Sequence, residues 1–449
     1  ESDKESRGKI ISVKPDNNLI ETYIFGPKVV SKNGFDGAKI PLKIAFKPGN
    51  NLIDVELQNK KFSLEKGTWS KWQEVSFKIG WGKRAYGLVK LYLKSIDPDF
   101  ELYLSPINFD PRRPLFDISY PKKLSKELAC ESGLYFTQGM PHDTWALTEG
   151  RINEKTFLEE VDFILDENMK IFERELSNFK QGVFFFYLET LDIIQHMFWR
   201  YIEQKSSLYE ENSPYKDTVY KYYEKIDDVL GKILEKVDSD TTLIVLSDHG
   251  FSSFRRSVNL NRFLLEMNLL YLKEGYDEGR ELFEGIDWSK TSAYALGFGG
   301  IYLNNTGKGR WGIVDETVTK NVTDDIYNRL KQWRDPQTGE MVVNTVYKKK
   351  DIFNGPYAED GPDLFVGFNK GYRSSWKTAL GMVPKELIED NEKKWSGDHL
   401  IDPKLVPGVI FVNKKLDLVN PSILDVAPTI LKVFEISKPE EMVGKSLWH

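Results

Sequence analysis

Histidine is scarce in this chain, and most of the few present fall where they could do chemistry. Five occur in 449 residues: His142, His196, His249, His399 and His449. Asp192 and His196 lie four residues apart just after the apolar run Val183–Leu188, so a helix starting there sets both side chains on one face, aimed at one spot. Asp248 and His249 follow directly on a second apolar run, Thr242–Ser247, and Gly250 behind them permits a sharp turn that exposes both at a strand end. His399 sits in Trp395-Ser-Gly-Asp-His399, where Gly397 lets the backbone approach a neighbour closely. Carboxylate and neutral imidazole form the ligand set that zinc and related divalent ions accept. Singly, each has a plainer reading: Asp-x-x-x-His recurs by chance, and a lone loop histidine is ordinarily a surface or capping residue. Together they place three histidines at two strand ends and one glycine-containing loop of what is expected to be one rim. His142, in Met140-Pro-His-Asp-Thr144, and His449 are read as residues without a chemical role.

The elements that position these residues follow from periodicity. From Gly8 to about Pro111 the period is two: Ile53, Val55 and Leu57 alternate with polar neighbours, as do Val75, Phe77 and Ile79, and again Val89, Leu91 and Leu93. These predict half-buried antiparallel strands, separated by loops such as Pro15-Asp-Asn-Asn18 and Pro48-Gly-Asn-Asn51. The proline-marked stretch Asn108–Pro114 is the expected exit, which gives a β-rich domain at 8–111 and a second domain at 116–449. Beyond Ser119 the rhythm changes. Phe157, Leu158, Val161, Ile164, Leu165, Phe172, Leu176 and Phe179 follow a helical period, and Val183–Leu188 reads as a buried strand. A second helix through Val219, Tyr222, Ile226, Val229 and Ile233 leads into Thr242–Ser247. Helix then apolar strand, twice over, predicts an α/β fold whose sheet is covered on both faces. Ligands of such sheets gather beyond the carboxyl ends of the strands.

Composition narrows the function. The net charge of −6 arises without long single-sign blocks, which argues against general nucleic-acid binding. No apolar run approaches the 18 or so residues of a membrane helix, so a soluble protein is expected. The one cysteine, Cys130, allows no intrachain disulfide and leaves the compartment open, an extracytoplasmic one included. The first residues, Glu1–Gly8, carry no initiator Met and no apolar targeting segment.

The order Asp192-x-x-x-His196, Ser247-Asp-His-Gly-Phe251, Gly397-Asp-His399 and Ser422-Ile-Leu-Asp-Val-Ala-Pro-Thr-Ile-Leu431 resembles the alkaline phosphatase superfamily. Within it the chain is similar to the type I phosphodiesterase and nucleotide pyrophosphatase branch. His196-Met-Phe-Trp-Arg200, Phe136-Thr-Gln-Gly-Met-Pro141, Gly371-Tyr-Arg-Ser-Ser-Trp376 and Gly67-Thr-Trp-Ser-Lys-Trp72 resemble the predicted phosphohydrolase/phosphomutase family. The resemblance implies an alkaline-phosphatase-like mixed or parallel sheet covered by helices, with residues 8–111 as an antiparallel β-rich insertion.

It also implies a hydrolase of phosphate esters that uses two divalent metals, zinc first and manganese as the alternative. Asp192, His196 and His399 form one metal site, and Asp248 and His249 contribute to the other. In that superfamily an upstream aspartate and a Ser or Thr nucleophile complete the second site. Neither is found here, so a missing N-terminal segment of the same protein is an expected partner and this chain alone is expected to be inactive or incomplete. Two cations would hold the attacking and leaving oxygens while the hydroxyl attacks to give a phosphoryl-enzyme. Asp398 and Glu189 are candidate outer partners of the ligand histidines. Arg255, Arg256, Arg373 and Lys377 are candidate contacts for a small phosphate-ester substrate, with solvated surface positions as the plainer reading of each. A different reading keeps the chain as a catalytically incomplete binding or scaffold relative whose β-domain recognises a partner.

Overall fold

In the computed structural model, which describes residues 10–31, 34–49 and 51–448, the period-two alternation becomes strands. His449 and residues 1–9 lie outside the described residues. The chain forms two units, Glu1–Ile193 and Ile194–His449.

In the first unit β1 (Leu19–Ser31), β2 (Gly34–Phe46), β3 (Leu52–Leu57) and β4 (Lys60–Glu65) make an antiparallel sheet in that order. They are followed by β5 (Gln73–Gly80), β6 (Lys83–Val89), β7 (Leu91–Ser95), β8 (Glu101–Leu104) and β9 (Asn108–Phe109). Strands β5, β6 and β9 pair in that order, and β7 pairs with β8. Ile53, Val55, Leu57, Val75 and Phe77 all point into one core with Val89, Leu91 and Leu93. The last of these runs is not half-solvated as expected: Lys90 and Tyr92 are buried as well. Trp69 packs on Tyr92 at 5.2 Å between ring centroids, and the Lys90 ammonium lies 4.8 Å from the Trp72 ring and 4.7 Å from that of Phe163.

Helices α1 (Leu124–Glu131), α2 (Thr144–Thr148) and α3 (Glu154–Asn178) follow. Asn153 opens α3 by accepting the Thr156 N–H, and the helix buries Phe157, Val161, Ile164, Leu165 and Phe172, as its period requires. The run Val183–Leu188 differs from expectation. It joins no sheet among the described residues, and Val183, Phe185 and Tyr187 are exposed. Phe184 and Phe186 on its other face pack on Phe172 at 5.7 and 4.9 Å. One apolar face is thus satisfied by a helix and the other is left in solvent. Helix α4 (Thr190–Phe198) then carries the chain from the first unit into the second.

The second unit runs α5 (Thr218–Leu234), β10 (Ile244–Leu246), β11 (Ser252–Val258), α6 (Leu260–Glu266), β12 (Ala293–Leu296), β13 (Gly300–Leu303), α7 (Glu316–Gln332) and β14 (Val343–Lys348). It continues through α8 (Lys349–Ile352), β15 (Leu364–Phe368), β16 (Gly371–Ser374), α9 (Trp376–Ala379), β17 (Ile388–Asp390), β18 (Gly397–Asp398), β19 (Ile410–Val412) and α10 (Val426–Val433). Strands β12, β13, β15 and β14 form an antiparallel sheet whose core includes Ile301 and Phe368 together with Leu264 of α6 and Ile326 and Leu330 of α7. Strand β11 pairs in parallel with β16 and antiparallel with β17 and β18. Strand β10 pairs with β19, also antiparallel. The fold is mixed α/β, and among the described residues its ladders are antiparallel apart from β11–β16. Among the described residues no helix is long and apolar enough to cross a membrane.

Candidate metal centre

Helix α4 does what the four-residue spacing requires: Asp192 lies in its first turn and His196 near its end, one above the other. The segment around β18 delivers His399 to the same place. One ligand atom each of Asp192, His196 and His399 can be chosen so that all lie within 4.8 Å of one another.

The histidines are held in a defined state. His196 is buried, and its Nδ1 donates to the Gly397 carbonyl at 2.7 Å. A carbonyl only accepts, so Nδ1 carries the proton and Nε2 presents the lone pair. The Trp395 indole stacks on the imidazole with ring centroids 3.7 Å apart and planes 29° apart. Burial pushes the His196 pKa down to about 3. Burial, with the nearby His249, also draws His399 below its ordinary value. Both rings are therefore neutral at physiological pH, the form a cation binds.

His249 adjoins this group. Its ring stacks on that of His399, centroids 3.5 Å apart and planes 12° apart, and its Nδ1 lies 3.1 Å from the Gly250 carbonyl. The exposed Asp248 carboxylate approaches His249 Nε2 at 3.6 Å and accepts the His249 N–H through Oδ1. The Asp248–His249 pair thus stands beside the convergent trio without belonging to it.

Both glycines serve close approach. Gly250 does not use the left-handed region; a Cβ there would lie 2.8 Å from the Pro407 carbonyl oxygen. A Cβ on Gly397 would lie 2.4 Å from the Gln195 carbonyl oxygen and 3.0 Å from Trp199 Cβ. Gly397→Ala is therefore expected to push β18 off α4, at about 1–3 kcal/mol by the usual cost of overpacking. Thermal unfolding measures the cost, and loss of the downfield His196 Nδ1 proton signal would report the broken hydrogen bond.

The four basic candidates all face carboxylates. Arg255 pairs with Glu340 at 3.2 Å, buried Arg256 with Asp335 at 3.0 Å and Asp390 at 2.6 Å, and Lys377 with Glu389 at 2.8 Å. Arg373 is fully buried, 2.8 Å from Asp398. Of the two acidic candidates for outer partners, Asp398 accepts the backbone N–H groups of His399 and Leu400 through Oδ1 at 2.8 and 2.9 Å. Glu189 lies 3.8 Å from His142, with its pKa raised by burial and by Asp192. Sequence reasoning missed the Gly397 carbonyl and the Trp395 stack. A backbone oxygen leaves no side-chain signal, but a tryptophan next to Ser-Gly-Asp-His could have marked the second.

One carboxylate and two neutral imidazoles in this arrangement suit a divalent cation of the zinc type, and the Asp248–His249 pair offers further donors beside it. Over 62 residues, 14% of this chain and 12% of the relative, the sequence is 44% identical to a 2,3-bisphosphoglycerate-independent phosphoglycerate mutase of Metamycoplasma hominis. The match spans about one eighth of that protein's length. The model of the type I phosphodiesterase / nucleotide pyrophosphatase family matches residues 49–396, about three quarters of the sequence, and on that match the chain belongs to this phosphoester-processing family of the alkaline phosphatase superfamily.

Proposed function

We propose that the chain is the metal-binding part of a two-metal hydrolase of phosphate esters, phosphodiesters or phosphomonoesters, in which residues 8–111 are a β-rich insertion on a core formed by 116–449. The observation that carries the reading is the convergence of Asp192, His196 and His399 within 4.8 Å. These three hold one cation, and Asp248 and His249 begin the site of a second, with zinc the first choice for both and manganese the alternative. When bound, such cations polarise phosphoryl oxygens and lower the pKa of an attacking hydroxyl. The chain's own groups prepare for this: the Gly397 carbonyl keeps the proton on His196 Nδ1, and burial keeps His196 and His399 uncharged. The nucleophile, a Ser or Thr oxygen, and a further aspartate come from a segment upstream of Glu1. That oxygen displaces one alcohol or phenol leaving group at phosphorus, and water then cleaves the enzyme–phosphorus ester, releasing a phosphomonoester from a diester substrate or phosphate from a monoester. An edge suited to an added strand supports this part of the reading, since β10 pairs only with β19 among the described residues and Val409 and Phe411 beside it are exposed.

The test compares turnover of bis(p-nitrophenyl) phosphate by this chain and by a form extended upstream. The extended form is expected to turn over, to stop when its metal is chelated and to recover with zinc, whereas the chain alone binds zinc with little turnover. Equal turnover by the two, lost in each with His249→Ala, overturns the upstream nucleophile. Turnover indifferent to chelation overturns the metal.

A further inference from the structure

Arg373 is an unusual residue to bury. Its side chain is wholly inaccessible at the second-last position of β16, and its guanidinium carbon lies 4.8, 4.7 and 4.2 Å from the ring centres of Phe254, Phe298 and Trp376. An ion moved from water into such a cage loses its hydration, a loss offset by a well-placed counter-ion and cation–π contacts. The counter-ion is Asp398, 1% exposed, whose Oδ2 is 2.8 Å from Arg373 Nε. Among the described residues none of Nε, Nη1 and Nη2 has a hydrogen-bond partner, so the guanidinium is held by its ion pair with Asp398 and its aromatic cage and not by a wider polar network.

Asp398 spends its remaining valences on the segment that builds the centre. Oδ2 also accepts the Trp395 indole N–H at 2.9 Å, and Oδ1 accepts the N–H groups of His399 and Leu400. Trp395 in turn covers the His196 ring, and Ser396 N–H donates to the His196 carbonyl at 2.7 Å. One carboxylate therefore ties together the backbone of one ligand histidine and the aromatic lid of another.

We propose that Arg373 is the positioning residue of the metal centre: it fixes the Asp398 carboxylate, and through it both His399 and the Trp395 ring that sets His196. This rests on the reading of Asp192, His196 and His399 as a metal site. It assigns Arg373 no contact with substrate, because the aromatic cage and complete burial keep the guanidinium from an anion in solvent. An Arg373→Met side chain fills similar space without the charge, Arg373→Lys restores a cation, and Trp395→Phe keeps a ring over His196 while deleting the donor to Asp398.

Two measurements on the purified chain test the proposal. The first is hydrogen exchange of the metal-free protein. Arg373→Met is expected to speed exchange at the His399 and Leu400 amides, with Arg373→Lys intermediate, while amides of the β12–β15 sheet stay as protected as before. The second is zinc affinity by competition with a chelating dye: a loss of about 10–100-fold in Arg373→Met, the usual effect of removing an outer partner, partly recovered in Arg373→Lys. Trp395→Phe is expected to shift both readouts in the same direction by less, and it serves if Arg373→Met fails to fold. Unchanged exchange at His399 and Leu400 in the folded variants overturns the proposal, whatever zinc does. Faster exchange there in a chain whose wild type takes up no zinc keeps the positioning role and overturns the metal reading. Unaltered zinc affinity with a raised KM for phosphoester in the extended form would make Arg373 a substrate contact, and the proposal would fall.

Discussion

Alanine at His196 or at His399 is expected to lower zinc affinity by more than the roughly 100-fold that loss of an outer partner costs, because each removes a donor from a group of three. The two variants should also differ from each other. His196 is buried under Trp395 and hydrogen-bonded to Gly397, so its removal leaves a cavity and an unanswered carbonyl beside α4. His399 is half-exposed, and its removal frees the His249 ring from its stack. Competition titration of each chain with a chelating dye gives the affinities, and thermal unfolding without metal separates the structural loss at His196 from the ligand loss common to both. Asp248→Ala, on the neighbouring pair, is expected to change the affinity of the first bound ion far less. Equal weakening by Asp248→Ala and His399→Ala would mean that the trio is not a site in its own right. Protons compete weakly at this centre near neutrality, since burial keeps His196 near 3 and holds His399 below its ordinary value.

Stability is expected to fall as pH rises from about 7 to about 8.5, above the range in which His142, His196 and His399, held below their ordinary values by burial, make it rise with pH. The cause lies in the first unit. Glu160 is buried on α3, its Oε2 accepts the Asp143 N–H at 3.0 Å, and its Oε1 has no hydrogen-bond partner among the described residues. Burial, with the Asp143 charge adding to it, pushes its pKa up to about 8. Glu167, which accepts the Trp72 indole N–H at 2.9 Å, is pushed up to about 7 by burial even though Lys90 pulls it down. For both groups the folded pKa exceeds that of the unfolded chain. Their protonated forms therefore stabilise the fold fully below about pH 4.5, and this contribution is lost as pH climbs through 7 and 8. Lys90, drawn down by burial, acts with the opposite sign but only as pH approaches the ordinary lysine range. Glu160→Gln replaces the buried acid with a neutral group of the same shape and is expected to flatten the upper part of the curve by a few kcal/mol. Urea unfolding at about pH 7 and about pH 8.5 measures this. A wild-type curve that rises between the two would mean that Glu160 is ionised in the folded chain.

What could be read from the residues divides along the range of the forces involved. Helix α3, helix α5 and the strands β3 and β5 follow from local periodicity, because each buries one face and its spacing says which. The one-face placement of Asp192 and His196 belongs to the same class. Long-range pairing does not. Thr242–Ser247 yields only the three-residue β10, whose partner β19 arrives more than 160 residues later and antiparallel. Val183–Leu188 has the composition of a buried strand, yet whether a ladder forms depends on a neighbour the local sequence does not name. The same holds at the centre. Arg373 reads as a surface cation or an anion contact until Phe254, Phe298 and Trp376 are known to surround it, and the Gly397 carbonyl that sets the His196 tautomer has no residue type to announce it.

The run Val183–Leu188 bears on how the protein can be handled. Six residues without charge or proline, with Val183, Phe185 and Tyr187 facing solvent, match the pattern that stacks into dry cross-β zippers when copies meet. Lys180 on one side and Glu189 on the other are the charges that interrupt such stacking, in the manner of gatekeepers. Their screening by salt weakens that guard, so raised ionic strength and protein concentration are expected to favour association through this run.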